Sequence, residues 1–138
     1  DRHMVETAVH AAALTRTVHR PDLLLFAALF HDVGKGFPDH DHSDFGATLM
    51  APLAERLGFD SADVETLILL VKEHLLLSAI ATRRDLDDPA TISSVIEKIP
   101  SAELLELLHA LSVADGEATG RAFQGPARRD RGASWAAC

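Results

Sequence analysis

Cysteine is almost missing: the single one, Cys138, is the last of 138 residues. A disulfide within the chain and a thiolate metal cluster are both excluded, and the compartment expected is a reducing cytoplasm. Long hydrophobic runs are missing too. The longest, Leu23 to Phe30, falls far short of the roughly 20 apolar residues that a bilayer requires, and no charged, apolar, small-residue leader stands at the start, so a soluble protein is expected. Positive charge is scarce: 13 Lys and Arg stand against 21 Asp and Glu, a formal net charge of -8. Such a balance repels nucleic acid and anionic membrane alike, which leaves a small substrate or a protein partner. There is no sustained apolar–polar alternation of the kind a half-buried strand shows, and no internal repeat.

What is present is helical periodicity and 47% hydrophobic content, enough for one compact core. The expected fold is all-α, a bundle of six to seven helices over residues 1–120, followed by a frayed or disordered tail over 121–138 rich in Gly, Pro, Ala and Arg. Helix one is expected from about Arg2 to His19, with Val5, Ala8, Val9, Ala12 and Val18 recurring on its inner face. Pro21-Asp22 opens a second, nearly all-apolar helix to about Asp32, stopped by Gly34 and Gly36. A polar loop over Phe37 to His42 leads to Ser43, the expected cap of a helix to Leu57 that Pro52 should kink or split. Asp60 or Ser61 caps a fourth helix to His74. A short helix over Leu76 to Arg83 and one opened by Asp88-Pro89 to Lys98 follow. Ser101 caps the last, which is expected to turn Leu104, Leu105, Leu107, Leu108, Leu111 and Val113 inward and to carry Asp115 near its end.

Chemistry concentrates in His31-Asp32. An ionisable pair closing an apolar run must be satisfied, because burying charge without partners costs several kcal/mol. A divalent cation would satisfy it, while the following glycines let a phosphate approach the backbone. Alone, such a pair is as readily a salt bridge or a helix cap. Here His3, His42, His74 and Asp115 join it, so that four imidazoles and two carboxylates could serve two ions once water and substrate oxygens are added. That donor set suits manganese or iron best and also admits cobalt, nickel, zinc and, less readily, magnesium. His10, His19 and His109 carry no pattern, and Glu117 and Asp44 read as solvated.

The order His3, His31-Asp32, Asp115 resembles the defining pattern of the HD-domain metal-dependent phosphohydrolase superfamily, and His42 and His74 resemble the added ligands of its two-metal members. More narrowly, HDVGKG, DHSDFGA, EHLLLSAIATRRDLDDPATI and SVADGEATG are similar to the HD domain of the bifunctional PII uridylyltransferase/uridylyl-removing family, with Arg83 to Pro89 the most specific stretch. The resemblance covers residues 1–120. Where that family often has a His-His pair, this chain has Glu73-His74. The resemblance implies hydrolysis of the phosphodiester that joins a uridylyl or adenylyl group to a tyrosine of the signalling protein PII, in nitrogen regulation. It further implies that Asp32 bridges two ions, that His3, His31 and Asp115 complete one shell and that His42 and His74 complete the other. Lys35 would offset phosphate charge, His40 would reach a metal or protonate the departing tyrosine, and Arg83 and Arg84 would contact substrate phosphate or PII. The nucleotidyltransferase domain and small-molecule-sensing repeats of that family are absent from this chain, which reads as an excised domain or a truncated relative. Two other readings stay open: hydrolysis of a free nucleotide or cyclic dinucleotide, and a catalytically silent regulatory HD domain.

Overall fold

The computed structural model describes residues 2–83 and 87–120, with Arg83 described by its backbone alone. Among the described residues the chain is helical and has no strand. Its elements are α1 (Arg2–Ala13), a 3-10 turn (Thr15–Thr17), α2 (Pro21–Phe30), a second 3-10 turn (Val33–Gly36), α3 (His42–Arg56), α4 (Ser61–Lys72), α5 (Leu76–Arg83), α6 (Pro89–Lys98) and α7 (Ala102–Ala118). No described helix is long and apolar enough to cross a membrane.

The all-apolar helix α2 sits at the centre and packs against α1, α4 and α7. Its Leu23, Leu24, Ala27 and Ala28 are buried together with Met50 of α3, Leu67 and Leu70 of α4, and Leu107, Leu108 and Leu111 of α7. A helix apolar on every side has to be enclosed by others, so its C-terminus delivers His31 and Asp32 into the interior rather than to the surface.

Five expectations need correction. Helix α1 stops at Ala13, where Thr15 and Thr17 turn their hydroxyls onto the carbonyls of Ala12 and Leu14, competing with the helical hydrogen-bond ladder. Its inner face is also different: Thr7 and Ala11 are buried, whereas Val5 and Val9 are exposed and so is Ala12. Small residues on the inner side let α1 lie close to α2 and α7. The cap of α3 is Asp41, whose carboxylate accepts from the amides of Ser43 and Asp44, and α3 runs unbroken through Pro52. On α7, Leu105 is exposed, one position off the stripe that Leu104, Leu107, Leu108 and Leu111 bury.

A close seam fixes the 3-10 turn after Asp32 against α3. A Cβ on Gly34 would collide with the His42 carbonyl oxygen and lie 2.8 Å from the Gly46 amide nitrogen. Only glycine permits that approach, and the approach brings the Asp32 turn onto the first residue of α3.

Candidate metal centre

Two histidines enter the centre by the same local device. His31 follows the last residue of α2 and His74 follows α4 by two residues, where the final carbonyls of a helix lack intrahelical donors. His31 Nδ1 lies 2.8 Å from the Ala28 carbonyl oxygen and His74 Nδ1 lies 2.6 Å from that of Val71. A carbonyl only accepts, so both Nδ1 atoms carry the proton, and a neutral ring then points an Nε2 lone pair inward. The sequence held a trace of this: each histidine stands three residues after the carbonyl that orients it.

The inward nitrogens meet carboxylate oxygens. His3 Nε2 is 2.8 Å from Asp115 Oδ1, and His31 Nε2 is 3.3 Å from that same oxygen. Asp32 is shared between the two sides of the centre. Its Oδ2 is 3.4 Å from His31 Nε2 and 3.6 Å from His3 Nε2, while its Oδ1 is 3.4 Å from His74 Nε2 and 3.9 Å from His42 Nε2. The donor atoms of His3, His31 and Asp115 lie within 4.8 Å of one another, as do those of Asp32, His42 and His74. All six residues that the sequence pattern suggested as ligands are therefore brought together.

The arrangement is unfinished by itself. His31 Nε2, Asp32 Oδ1, His42 Nε2 and His74 Nε2 are buried without a hydrogen-bond partner among the described residues. With the rings neutral, these are four converging lone pairs with nothing to donate to them; they call for a positive centre, the ring's second proton at His31 or a metal ion, and imidazole with carboxylate is a donor set for a divalent transition metal. The residues present fit such ions.

Electrostatics report the same convergence. Burial alone would lower the His31 pKa, but the Asp115 and Asp32 carboxylates outweigh it and push the ring up to about 9. Burial would raise the carboxyl of Asp32, yet the His31, His74 and Lys35 groups around it hold it far below the usual carboxylate range. Asp115 is likewise lowered, against its burial, by His31 and His3. Lys35 reaches back to Asp32 Oδ2 at 2.5 Å.

The other sequence candidates fare differently. His40 is exposed and stacks on Phe45 with ring centroids 4.6 Å apart, and it belongs to neither triad of donors. Arg84 and the side chain of Arg83 lie outside the described residues. Sequence reasoning overlooked the cavity in front of the centre, about 400 Å³, whose walls add Leu75, Ser78, Ala81, Thr82, Gly116 and Thr119 to the His3, Asp32, Lys35, His42 and Asp115 side chains. Hydroxyl and small residues on a helix carry no signal until a neighbouring helix faces them.

Comparison with known proteins agrees with this geometry. The HD domain family matches residues 1–119. The chain is 59% identical over 122 residues, 88% of its length, to a bifunctional uridylyltransferase/uridylyl-removing enzyme of Streptomyces coelicolor. It is 58% identical over 87% of its length to the enzyme so named from Mycobacterium tuberculosis, and 38% identical over 87% to that of Corynebacterium glutamicum. It spans 14%, 15% and 17% of those relatives, respectively. Matched over residues 1–119, the chain belongs to the HD domain family.

Proposed function

We propose that this domain is a metal-dependent phosphodiesterase that removes a uridylyl group, or in some settings an adenylyl group, from a tyrosine of the PII signalling protein. One observation carries the reading: the two oxygens of Asp32 face two separate sets of donors, His3 with His31 on one side and His42 with His74 on the other, which suits a carboxylate bridging two ions. His3, His31 and Asp115 would complete one shell, and His42 and His74 the other. Divalent ions held there, manganese or iron by preference, would supply Lewis acidity toward the phosphoryl oxygens and a water of lowered pKa.

The chain's own groups do the rest. The Ala28 and Val71 carbonyls fix the two buried imidazoles, so the donors stand in place before substrate arrives. Lys35, beside Asp32 at the cavity wall, offsets phosphate charge. His40, on the exposed loop between Lys35 and His42, protonates the departing tyrosine oxygen. Arg83 and Arg84, by their place in the sequence, meet PII or the phosphate. The relatives' name supplies the uridylyl group. PII as partner, the cytoplasm as compartment and residues 1–120 as the working unit belong to this same reading.

The test is an assay of the purified chain, loaded with manganese, on uridylylated PII, on bis(p-nitrophenyl) phosphate and on a panel of nucleotides and cyclic dinucleotides, together with elemental analysis. Release of UMP from PII and two ions per chain are expected. Turnover of free nucleotides alone would move the substrate class, and no turnover with metal bound would leave a regulatory domain.

A further inference from the structure

The chemistry assigned above uses only part of the cavity. The remaining wall is a strip along α5, with Leu75 just ahead of the helix and Ser78, Ala81 and Thr82 on it, met by Gly116 of α7 and by Thr119 just past its end. Spacings of three and four residues place Leu75, Ser78 and Thr82 on one helical face. The strip carries no charge.

Its hydroxyls are not equivalent. Thr82 Oγ1 donates back to the carbonyls of Ser78 and Ala79 at 2.9 and 3.2 Å, and Thr119 Oγ1 donates to that of Gly116 at 2.9 Å. Their protons are spent within their own helices, leaving lone pairs and methyl groups. The Ser78 hydroxyl has no hydrogen-bond partner among the described residues, so it can both donate and accept. Leu75 is 43% exposed, an apolar side chain at the mouth of a polar site.

We propose, resting on the phosphodiesterase reading, that this strip is the nucleoside subsite and that Ser78 is its orienting and specificity-determining residue. With the phosphodiester at the two triads, a base or ribose lies against Leu75 and Ala81, its polar edge meets Ser78 and the lone pairs of Thr82 and Thr119, and Gly116 leaves the space. Size fits: about 400 Å³ lies low in the range of small-molecule sites, suited to one nucleotide. Charge fits as well. Lys35 is the one Lys or Arg on the described wall, and it already pairs with Asp32, so among the described residues the strip offers no cation for a second or third phosphate.

Two measurements test this on the metal-loaded chain. The first compares kcat/KM on uridine 5′-(p-nitrophenyl phosphate) with that on bis(p-nitrophenyl) phosphate, which has no nucleoside. Ser78→Leu should lower the ratio of the two about tenfold or more by filling the strip, and Ser78→Ala about three- to tenfold, the range of one hydrogen bond, with Ser78→Thr restoring it. The second follows backbone amide resonances during titration with UMP and, separately, inorganic phosphate. Ser78, Thr82, Gly116 and Thr119 should shift with UMP and not with phosphate. An unaltered ratio in Ser78→Leu, or amide shifts identical for the two ligands, overturns the subsite. Hydrolysis of neither ester overturns the phosphodiesterase reading instead, and the UMP titration still decides the subsite.

Discussion

Helix α2 carries an ion cluster at each end, about 15 Å apart along its axis, and the two are built on opposite principles. At the N-terminal end, Arg20 donates to both oxygens of Asp22 at 3.1 and 2.9 Å and to both oxygens of Asp63 on α4 at 2.8 and 2.7 Å. That network closes on itself: a planar fork meets two carboxylates and fills both. At the C-terminal end, His31 and Asp32 gather imidazoles and a carboxylate and still leave buried nitrogens and an oxygen unpaired. A cavity lies beside each cluster, about 220 Å³ near Arg20 and 400 Å³ near Asp32, so concavity does not separate them. What separates them is saturation. A structural ion network consumes its own hydrogen-bonding capacity, and a binding centre keeps some in reserve at the cost of stability.

The sharpest way to break the comparison is to remove the shared carboxylate. Asp32→Ala takes one partner from His31, His3, His42, His74 and Lys35 at once, and turnover should fall by at least about a thousandfold, as expected when both shells lose their bridge. Helical content by circular dichroism should stay close to that of the parent. Residual activity within about tenfold of the parent would remove Asp32 from the bridging role.

Next in size is the seam that assembles the open end. Gly34→Ala forces a methyl group into the His42 carbonyl and against the Gly46 amide, both of them backbone and unable to rotate away. Denaturant unfolding should show a loss of about 3 kcal/mol, at the upper end for an overpacked site, and metal affinity should fall with it as the Asp32 turn leaves His42. Gly36, whose Cβ would meet nothing within 4 Å, is the control: alanine there should leave metal affinity unchanged.

Acidity distinguishes the ends more gently. In chelated protein His31 has its pKa raised from 6.5 to about 9, so its ion pairs stabilise the fold fully below about pH 6.5 and lose that contribution as pH rises through 9. Asp32 and Asp115 have lowered values, and their contribution is present above about pH 4 and lost in acid. A divalent ion must displace the His31 proton. Metal binding near pH 7.5 should therefore release about one proton, and none above about pH 10. Calorimetry in two buffers of different ionisation enthalpy measures this directly, and no release at pH 7.5 would show the ring already neutral.

Much of this was legible from residue identity. The six convergent His and Asp residues stand out because ionisable groups at the ends of apolar helices are costly without partners, and the helix starts at Asp60, Asp88 and Ser101 follow from side chains that accept amide protons. Packing was less legible. On α1 the sequence offers two apolar stripes, and Val5 with Val9 is the more hydrophobic, yet the stripe with Thr7 and Ala11 is buried because α2 and α7 come too close for larger side chains. The Thr7 hydroxyl is made tolerable there by a hydrogen bond to the His3 carbonyl, which no periodicity reveals. The α5 wall was invisible for a related reason: Ser78 and Thr82 acquire meaning only from the α7 residues across from them.

The closed end supplies the smallest effect and the cleanest control. Arg20→Ala removes four charge-assisted hydrogen bonds, but the guanidinium side chain is 37% exposed and water replaces much of what is lost. A stability loss of about 1 kcal/mol is expected, the upper range for exposed ion pairs, and it should shrink in 1 M salt because screening already weakens the native network. Turnover should stay within about twofold, since the cluster holds the far end of α2 and touches neither donor triad. A drop in activity much larger than the drop in stability would mean that α2 transmits strain from one end to the other, so that the saturated network sets the geometry of the open one.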